Sequence, residues 1–319
     1  MAVGIIMLGL LALVGFVVGK SGYLPGNPGV VLSQVVIKLT APVYILTTLA
    51  SKSFTGKEIR NGVLIYILGL IFMLISFSIT LAVSGKLKLK ESTRNVFLMH
   101  SMFGNVAFLA FPLIESVYGR TWLVFAVFFN IANDTLLWTL GIYLVNKHKA
   151  TNWKSNLKHL INGNTIAFTL GIFCILINLQ GIVNSSPFAK SVYDMFYKTF
   201  NRLGETTIPL SMLFIGLILS EIRIGSIKDF LKRYPSFILA FIKLIFMPLA
   251  ALLVLNALGN HLSPMVKGIV VLQLAMPCGT IVPALAAQYD SDYKFATENV
   301  FITTILCVIT LPVMAWLLS

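Results

Sequence analysis

The stretch Phe103-Gly-Asn-Val-Ala-Phe-Leu-Ala-Phe-Pro112 lies inside an otherwise hydrophobic segment and decides how the rest of the chain is read. It places a glycine, an asparagine amide and a proline at a depth where a lipid-facing helix carries apolar side chains. In hydrocarbon a broken helix is tolerated only where the freed backbone faces protein or a water-filled cavity. A second stretch, Met276-Pro-Cys-Gly-Thr-Ile-Val-Pro283, repeats this vocabulary, with Pro283 following Pro112 by 171 positions. Two interrupted hydrophobic segments in corresponding halves of a chain are the strongest sequence pointer to a transporter's binding site.

Composition supports that starting point. Of 319 residues, 57% are hydrophobic and 11% charged, against about 25% charged in soluble domains, so the chain is expected to be an integral membrane protein. The excess of 24 Lys and Arg over 11 Asp and Glu fits the basic cytoplasmic loops of membrane proteins. No basic run is interleaved with aromatics, which argues against a nucleic-acid partner. Cys174, Cys278 and Cys307 sit in hydrophobic segments without metal-type spacing and read as small core residues with no disulfide. The N-terminal run has no basic region before it and no small-residue cleavage pattern after it, so it reads as a first membrane helix.

About 20 apolar residues cross a bilayer, and ten segments reach that length, roughly 3–22, 29–50, 61–84, 93–118, 121–145, 159–180, 188–220, 234–256, 265–288 and 295–318. The longest polar linker, 146–158, divides an N-terminal half (1–145) from a C-terminal half (159–319). Odd-numbered loops carry 14 Lys and Arg and even-numbered loops 8, which puts the odd loops in the cytoplasm and both termini outside. Five segments per half require opposite orientations of the two halves. Thr40-Ala-Pro42 in segment two matches Thr207-Ile-Pro209 in segment seven, 167 positions on; each continues as an apolar run to a serine, Ser51 or Ser220. Pro112 to Tyr118 matches Pro283 to Tyr289, again at a shared spacing. The expected fold is therefore an all-α membrane protein of ten transmembrane helices in two inverted five-helix repeats.

At these residues the chain resembles the auxin efflux carrier family of plant auxin exporters and bacterial organic-acid permeases. Asn105 through Pro112 to Tyr118-Gly119 is similar to the family's fourth helix. Asn162-Gly-Asn-Thr165 with Gly171 resembles the opening of helix six, Gly163 standing where the family has proline. Pro277-Cys-Gly279 and Ala287-Gln-Tyr289 resemble helix nine, and Ile309-Thr-Leu-Pro312 helix ten. Pro283 falls one position later than in the plant pattern, which leaves the register of the helix-nine site open, and the long cytoplasmic loop of many plant carriers is missing. The resemblance implies a scaffold of helices 1, 2, 6 and 7, a transport domain of helices 3–5 and 8–10, and broken helices 4 and 9 crossing at the substrate. It also implies an architecture similar to sodium–bile-acid symporters and a homodimer through the scaffold.

Breaking a helix exposes N–H groups at one new end and carbonyls at the other. The positive end, expected near Pro112 and Pro283, suits a carboxylate; the carbonyl end suits a cation. Asn105 offers both donor and acceptor and either contacts substrate or ion, or caps the broken helix. The substrate site is expected from Gly104, Asn105, Val106, Pro112, Cys278, Gly279, Thr280 and Pro283, with Thr40 as a further candidate. Thr40 and Thr207, each just before a repeat proline, are expected to satisfy carbonyls that those prolines free. Asp134, between Asn130, Asn133 and the end of segment five, is a mid-membrane carboxylate and a functional candidate by default. It reads as a proton carrier, a cation ligand, or the partner of Lys38 or Lys243. His100 is either a titrating group or a hydrogen-bonded helix contact. Lys243 is expected to snorkel, Glu115 and Glu205 to be interfacial, and Phe125, Phe128 and Phe129 to pack. No cofactor or metal is expected beyond coupling H⁺, or Na⁺ near Asn105 and Asn130.

The function these expectations favour is secondary active transport of a small organic anion by an elevator-type movement, coupled to H⁺ or Na⁺, in the inner (plasma) membrane. A passive anion channel or uniporter is the alternative. An intramembrane enzyme would need paired carboxylates, a metal motif or a nucleophile elbow, and the sequence has none; an attached signalling domain, which a receptor would need, is also absent from it.

Overall fold

Polar residues placed just ahead of prolines set where many of the helices begin. The computed structural model describes residues 2–51, 53–146, 162–220, 233–259 and 262–318. Asn27, Ser186 and Ser263 each cap a helix whose first residue is proline, their side chains accepting from Val30, Ala189 and Val266 N–H. Such a proline loses no hydrogen bond, because the first N–H of a helix has no intrahelical acceptor, and its φ already suits the helix. Asn162 and Thr165 close a reciprocal capping box at the start of the helix Gly163–Leu176.

Among the described residues the regular structure is helical: α1 (Ala2–Ser21), α2 (Pro28–Ala50), α3 (Gly56–Lys86), α4 (Glu91–Met102), α5 (Phe111–Tyr118), α6 (Arg120–Val145), α7 (Gly163–Leu176), α8 (Leu179–Asn184), α9 (Pro187–Glu205), α10 (Thr207–Ser220), α11 (Tyr234–Ala257), α12 (Pro264–Leu274), α13 (Ile281–Gln288) and α14 (Tyr293–Leu317). Six stretches are long and apolar enough to cross a membrane: α2, α3, α6, α9 with α10, α11 and α14. Shorter apolar helices cover Ile6–Ser21, Phe108–Tyr118, Gly163–Leu176 and Pro264–Leu274. The chain is an all-α, multi-pass membrane protein. Residues 147–158 of the expected linker lie outside the described residues. So do Lys52, Arg223, Lys228 and Lys232 of the loop charges.

Three prolines inside helices share one local device. A π turn ends two residues before each: Val36–Thr40 before Pro42, Val106–Ala110 before Pro112, and Ile242–Phe246 before Pro248. Proline lacks an N–H and its ring collides with the carbonyl one turn back; a widened turn moves that carbonyl aside and lets the helix continue. This overturns the role expected of Thr40 and Thr207. Both hydroxyls are buried and neither makes a hydrogen bond. The π turn relieves Pro42. Pro209 falls in the first turn of α10, where no N–H is needed, because segment seven is two helices joined at Thr206.

The chain divides into two compact units: Met1–Gly62 with Ala107–Val127 and Ile161–Ile222, and Val63–Val106 with Phe128–Leu160 and Arg223–Ser319. In the first, α1 packs on α10 with backbones in near contact: a Cβ on Gly15 would overlap the Leu213 carbonyl, and one on Gly216 the Ala12 carbonyl. Small residues are what permit such approach between membrane helices. The same unit holds a polar group in which Tyr44 donates to Glu115 while Arg120 pairs with Glu205 at 2.9 Å and bonds Asn201. In the second unit, Phe97, Leu239, Cys278 and Val300 form a buried cluster, and Phe129 packs against Gly69 as the packing expectation for that residue required.

Gly216→Leu should lower the thermal midpoint of the detergent-solubilised protein. Overpacking costs about 1–3 kcal/mol, at roughly 2–4 °C per kcal/mol in mid-sized domains. Gly9→Leu on α1, where an added Cβ meets nothing within 4 Å, should leave the midpoint unchanged.

Candidate functional site

Phe103, Gly104 and Asn105 leave the helical conformation between α4 and the π turn at Val106, and Ala275–Thr280 leave it between α12 and α13. The two breaks meet within the second unit. Asn105 N–H donates to the Pro277 carbonyl at 2.8 Å and Gly279 N–H to the Phe103 carbonyl at 3.0 Å. These two bonds make an antiparallel bridge centred on Gly104 and Cys278. At both glycines an added Cβ would be crowded. A Cβ on Gly279 would lie 3.1 Å from the Gly104 carbonyl oxygen, and one on Gly104 3.2 Å from Met276 Cβ. The break in segment four is thus satisfied by the break in segment nine.

The carbonyls that α4 frees at its end can be followed one by one. Met99 O accepts from Phe103 N–H at 2.8 Å, and His100 O receives the Cys278 thiol at 3.8 Å. Ser101 O accepts from Ser76 Oγ at 2.8 Å and from Lys243 Nζ at 3.4 Å, and Met102 O from Lys243 Nζ at 3.0 Å. Cys278 N–H in turn donates to Thr303 Oγ1 at 3.0 Å, tying the break to α14. Every one of these carbonyls has a partner, as buried backbone requires.

Lys243 corrects the sequence expectation. It does not snorkel: the residue is 2% exposed and its ammonium sits on two carbonyls of the break. Those acceptors exist only because α4 stops at Met102, so no local pattern around Lys243 announces them. The available signal was a lysine in the middle of an apolar helix, which by default marks a functional position.

The positive end of the second half-helix of segment four begins at Val106, not near Pro112, because the π turn carries the helix through to the proline. In segment nine the helix starts at Ile281, two residues before Pro283. Asn105 is buried beside the first of these ends, and its Nδ2 has no hydrogen-bond partner. The structure brings Gly104, Asn105, Cys278 and Gly279 together; Val106 and Thr280 adjoin them in sequence, and Thr280 and Pro283 are half-buried. Pro112 and Thr40 belong to the first unit.

Asp134 is half-buried on α6 and accepts from Asn130 Nδ2 at 3.4 Å and from Asn133 Nδ2 at 3.5 Å, both long. Lys243 is engaged with the break and not with this carboxylate, so one of the structural pairings expected for Asp134 is absent. His100 takes the contact role: its ring Nε2 meets the Ala296 carbonyl at 3.2 Å, which makes that nitrogen the donor. The α6 helix widens into a π turn over Leu137–Gly141, and Gly141 lies against the Phe103 ring, where a Cβ would sit 2.9 Å from Cε2. Glu115 and Glu205 are engaged in the polar group of the first unit.

Comparison with known proteins gives a consistent picture. A family model described as a membrane transport protein matches residues 2–315. A protein of Methanocaldococcus jannaschii described as an uncharacterized transporter is 26% identical over 315 residues, covering 97% of this chain and 96% of that one. A second uncharacterized transporter, from Methanothermobacter thermautotrophicus, is 24% identical over 307 residues, covering 95% of this chain and 93% of its own.

Gly104→Val should separate the two breaks. The expected result is a lower thermal midpoint, together with faster maleimide labelling of Cys278, which is fully buried here, in a background carrying Cys174→Ala and Cys307→Ala. Labelling at the parent rate would show that the bridge tolerates the side chain.

Proposed function

The chain belongs to the membrane transport protein family, the auxin efflux carriers of the resemblance drawn from its motifs, and from that premise we propose that it is a secondary active transporter of a small organic anion. The substrate is a mono- or dicarboxylate, or an auxin-like acid, and its movement is coupled to H⁺ or Na⁺. The observation that carries this reading is the reciprocal bridge between the breaks, which leaves the Asn105 Nδ2 donor unpartnered and buried beside the positive end that begins at Val106. A carboxylate is the group that uses both at once.

Six long and four short apolar helices support ten membrane crossings, and the pairing of like breaks supports two inverted five-helix repeats, 1–145 and 159–319. In the proposed architecture helices 1, 2, 6 and 7 form a scaffold and 3–5 with 8–10 a transport domain. The division of the chain into two compact units supports an elevator-type movement; Ala107–Val127 groups with the scaffold segments. Asp134, with Asn130 and Asn133, is the proposed coupling group. The loop charges favour an inner (plasma) membrane protein with both termini outside, and the scaffold is the proposed homodimer face.

Uptake of labelled malate, malonate, lactate and indole acetate into proteoliposomes tests the reading. Saturable uptake driven by an imposed gradient is expected for at least one. Unsaturable flux would favour a channel, and no uptake with no binding competition would refute the anion claim. Asn105→Ala should cut uptake about tenfold or more while the protein stays folded, since a hydrogen bond to a charged group contributes about 1.5–3 kcal/mol. Asp134→Asn should abolish proton-driven uptake; full retention would remove Asp134 from the coupling path.

A further inference from the structure

Lys243 lies in the π turn Ile242–Phe246 of α11, and its Nζ reaches Met102 O at 3.0 Å and Ser101 O at 3.4 Å. An ammonium has three donors, and two are used. Among the described residues no carboxylate lies within ion-pair distance of it. A buried charge met only by carbonyl dipoles is expensive to keep, and an apolar side chain of similar length would fill the same space. The position explains why a charge is there. The end of α4 carries about half a negative charge from its aligned peptides, concentrated on the carbonyls freed by the break. In broken-helix transporters such carbonyl ends are where an inorganic cation is coordinated. Here a side chain already occupies that end.

We propose that Lys243 is a tethered cation that takes the place of a metal cation at the helix-four break, so that the crossover assembles without Na⁺. The ammonium is anchored to the carbonyl end and lies close to Gly104, whose added Cβ would be 3.5 Å from Nζ. Two carbonyls offset a full charge only in part, and the remaining positive potential falls on the residue pair Gly104–Asn105, where an anion would be held. Lys243 is a positioning residue in this scheme: it fixes the break that presents Asn105. The transport consequence, that the coupling ion is H⁺ and not Na⁺, rests on the carrier reading above. The structural claim does not.

The test uses the purified full-length chain and reads the thermal midpoint at matched ionic strength in NaCl, in methylammonium chloride and in choline chloride. The wild-type midpoint should be the same in all three. Lys243→Met, which fills the volume without the charge, should unfold several degrees lower in choline and regain at least half of the loss in Na⁺ or methylammonium. An uncharged alcohol of methylammonium's size should restore nothing, and Lys243→Arg should stay near wild type. A wild-type midpoint that rises in Na⁺ over choline would overturn the proposal, as would a Lys243→Met protein that responds to none of the small cations. Should Lys243→Met fail to fold, the wild-type comparison decides alone. Failure of every substrate in proteoliposomes, with the midpoints behaving as stated, would sink the carrier reading and leave the Lys243 assignment standing.

Discussion

Hydrocarbon offers the backbone no hydrogen-bonding partner, and this protein breaks its helices at that depth all the same. The arrangement survives because the two breaks complete each other. The N–H of Asn105 and the carbonyl of Phe103 go to residues 277 and 279, and the carbonyls left over at the end of α4 go to Ser76, Lys243 and the Cys278 thiol. Remove either break and the other is left with unsatisfied groups in a dry interior, each worth several kcal/mol there. The close contact also accounts for the glycines, since any side chain at Gly279 would press on the Gly104 carbonyl. A sequence feature that looks like weakness in one helix is a structural requirement of the pair.

The parts that were legible in the sequence are those with local causes. Gly104, Asn105 and Pro277-Cys-Gly279 marked the breaks because helix interiors in lipid exclude those residues, though the helices resume at Val106 and Ile281, ahead of the prolines expected to start them. The caps Asn27, Ser186 and Ser263 ahead of prolines are local signals of the same kind. What escaped depended on distance. Lys243 reads as an ordinary snorkelling lysine because the carbonyls that hold it, those of Ser101 and Met102, lie more than 140 positions away along the chain. The π turns escaped as well, because a proline states that a carbonyl must move but not whether the helix will break or widen. At Pro112 it widened, and the positive helix end consequently sits at Val106. At Pro209 the chain instead began a new helix, which split the apolar run of segment seven.

The same π-turn solution at Pro42, Pro112 and Pro248 has a functional side. Each keeps a helix continuous up to its proline, so segment four breaks at residues 103–105, where it pairs, and not at Pro112. Asn105 Nδ2 stands without an acceptor in the same few residues where a helix begins and where an ammonium is buried. That conjunction is what the proposed site for a negatively charged group rests on.

That site is not symmetric, although the halves are proposed to be related. If segment eight repeats segment three at the spacing seen for the prolines, 167 to 171 residues, the counterpart of Lys243 falls between Phe72 and Ser76. The five residues there are Phe72, Met73, Leu74, Ile75 and Ser76, with no charge among them. Ser76 still serves the break, through its hydroxyl on Ser101 O, but it brings a neutral donor where segment eight brings a full charge. Both therefore act on the carbonyl end of α4, and none of the hydrogen bonds described above puts a cationic side chain on the break that ends α12. In the proposed function, a pair of breaks with one charge between them would hold an anion off-centre, toward Gly104 and Asn105. Among the proposed site residues, Asn105 is the one that lies between the helix start at Val106 and Gly104, the residue beside the Lys243 ammonium.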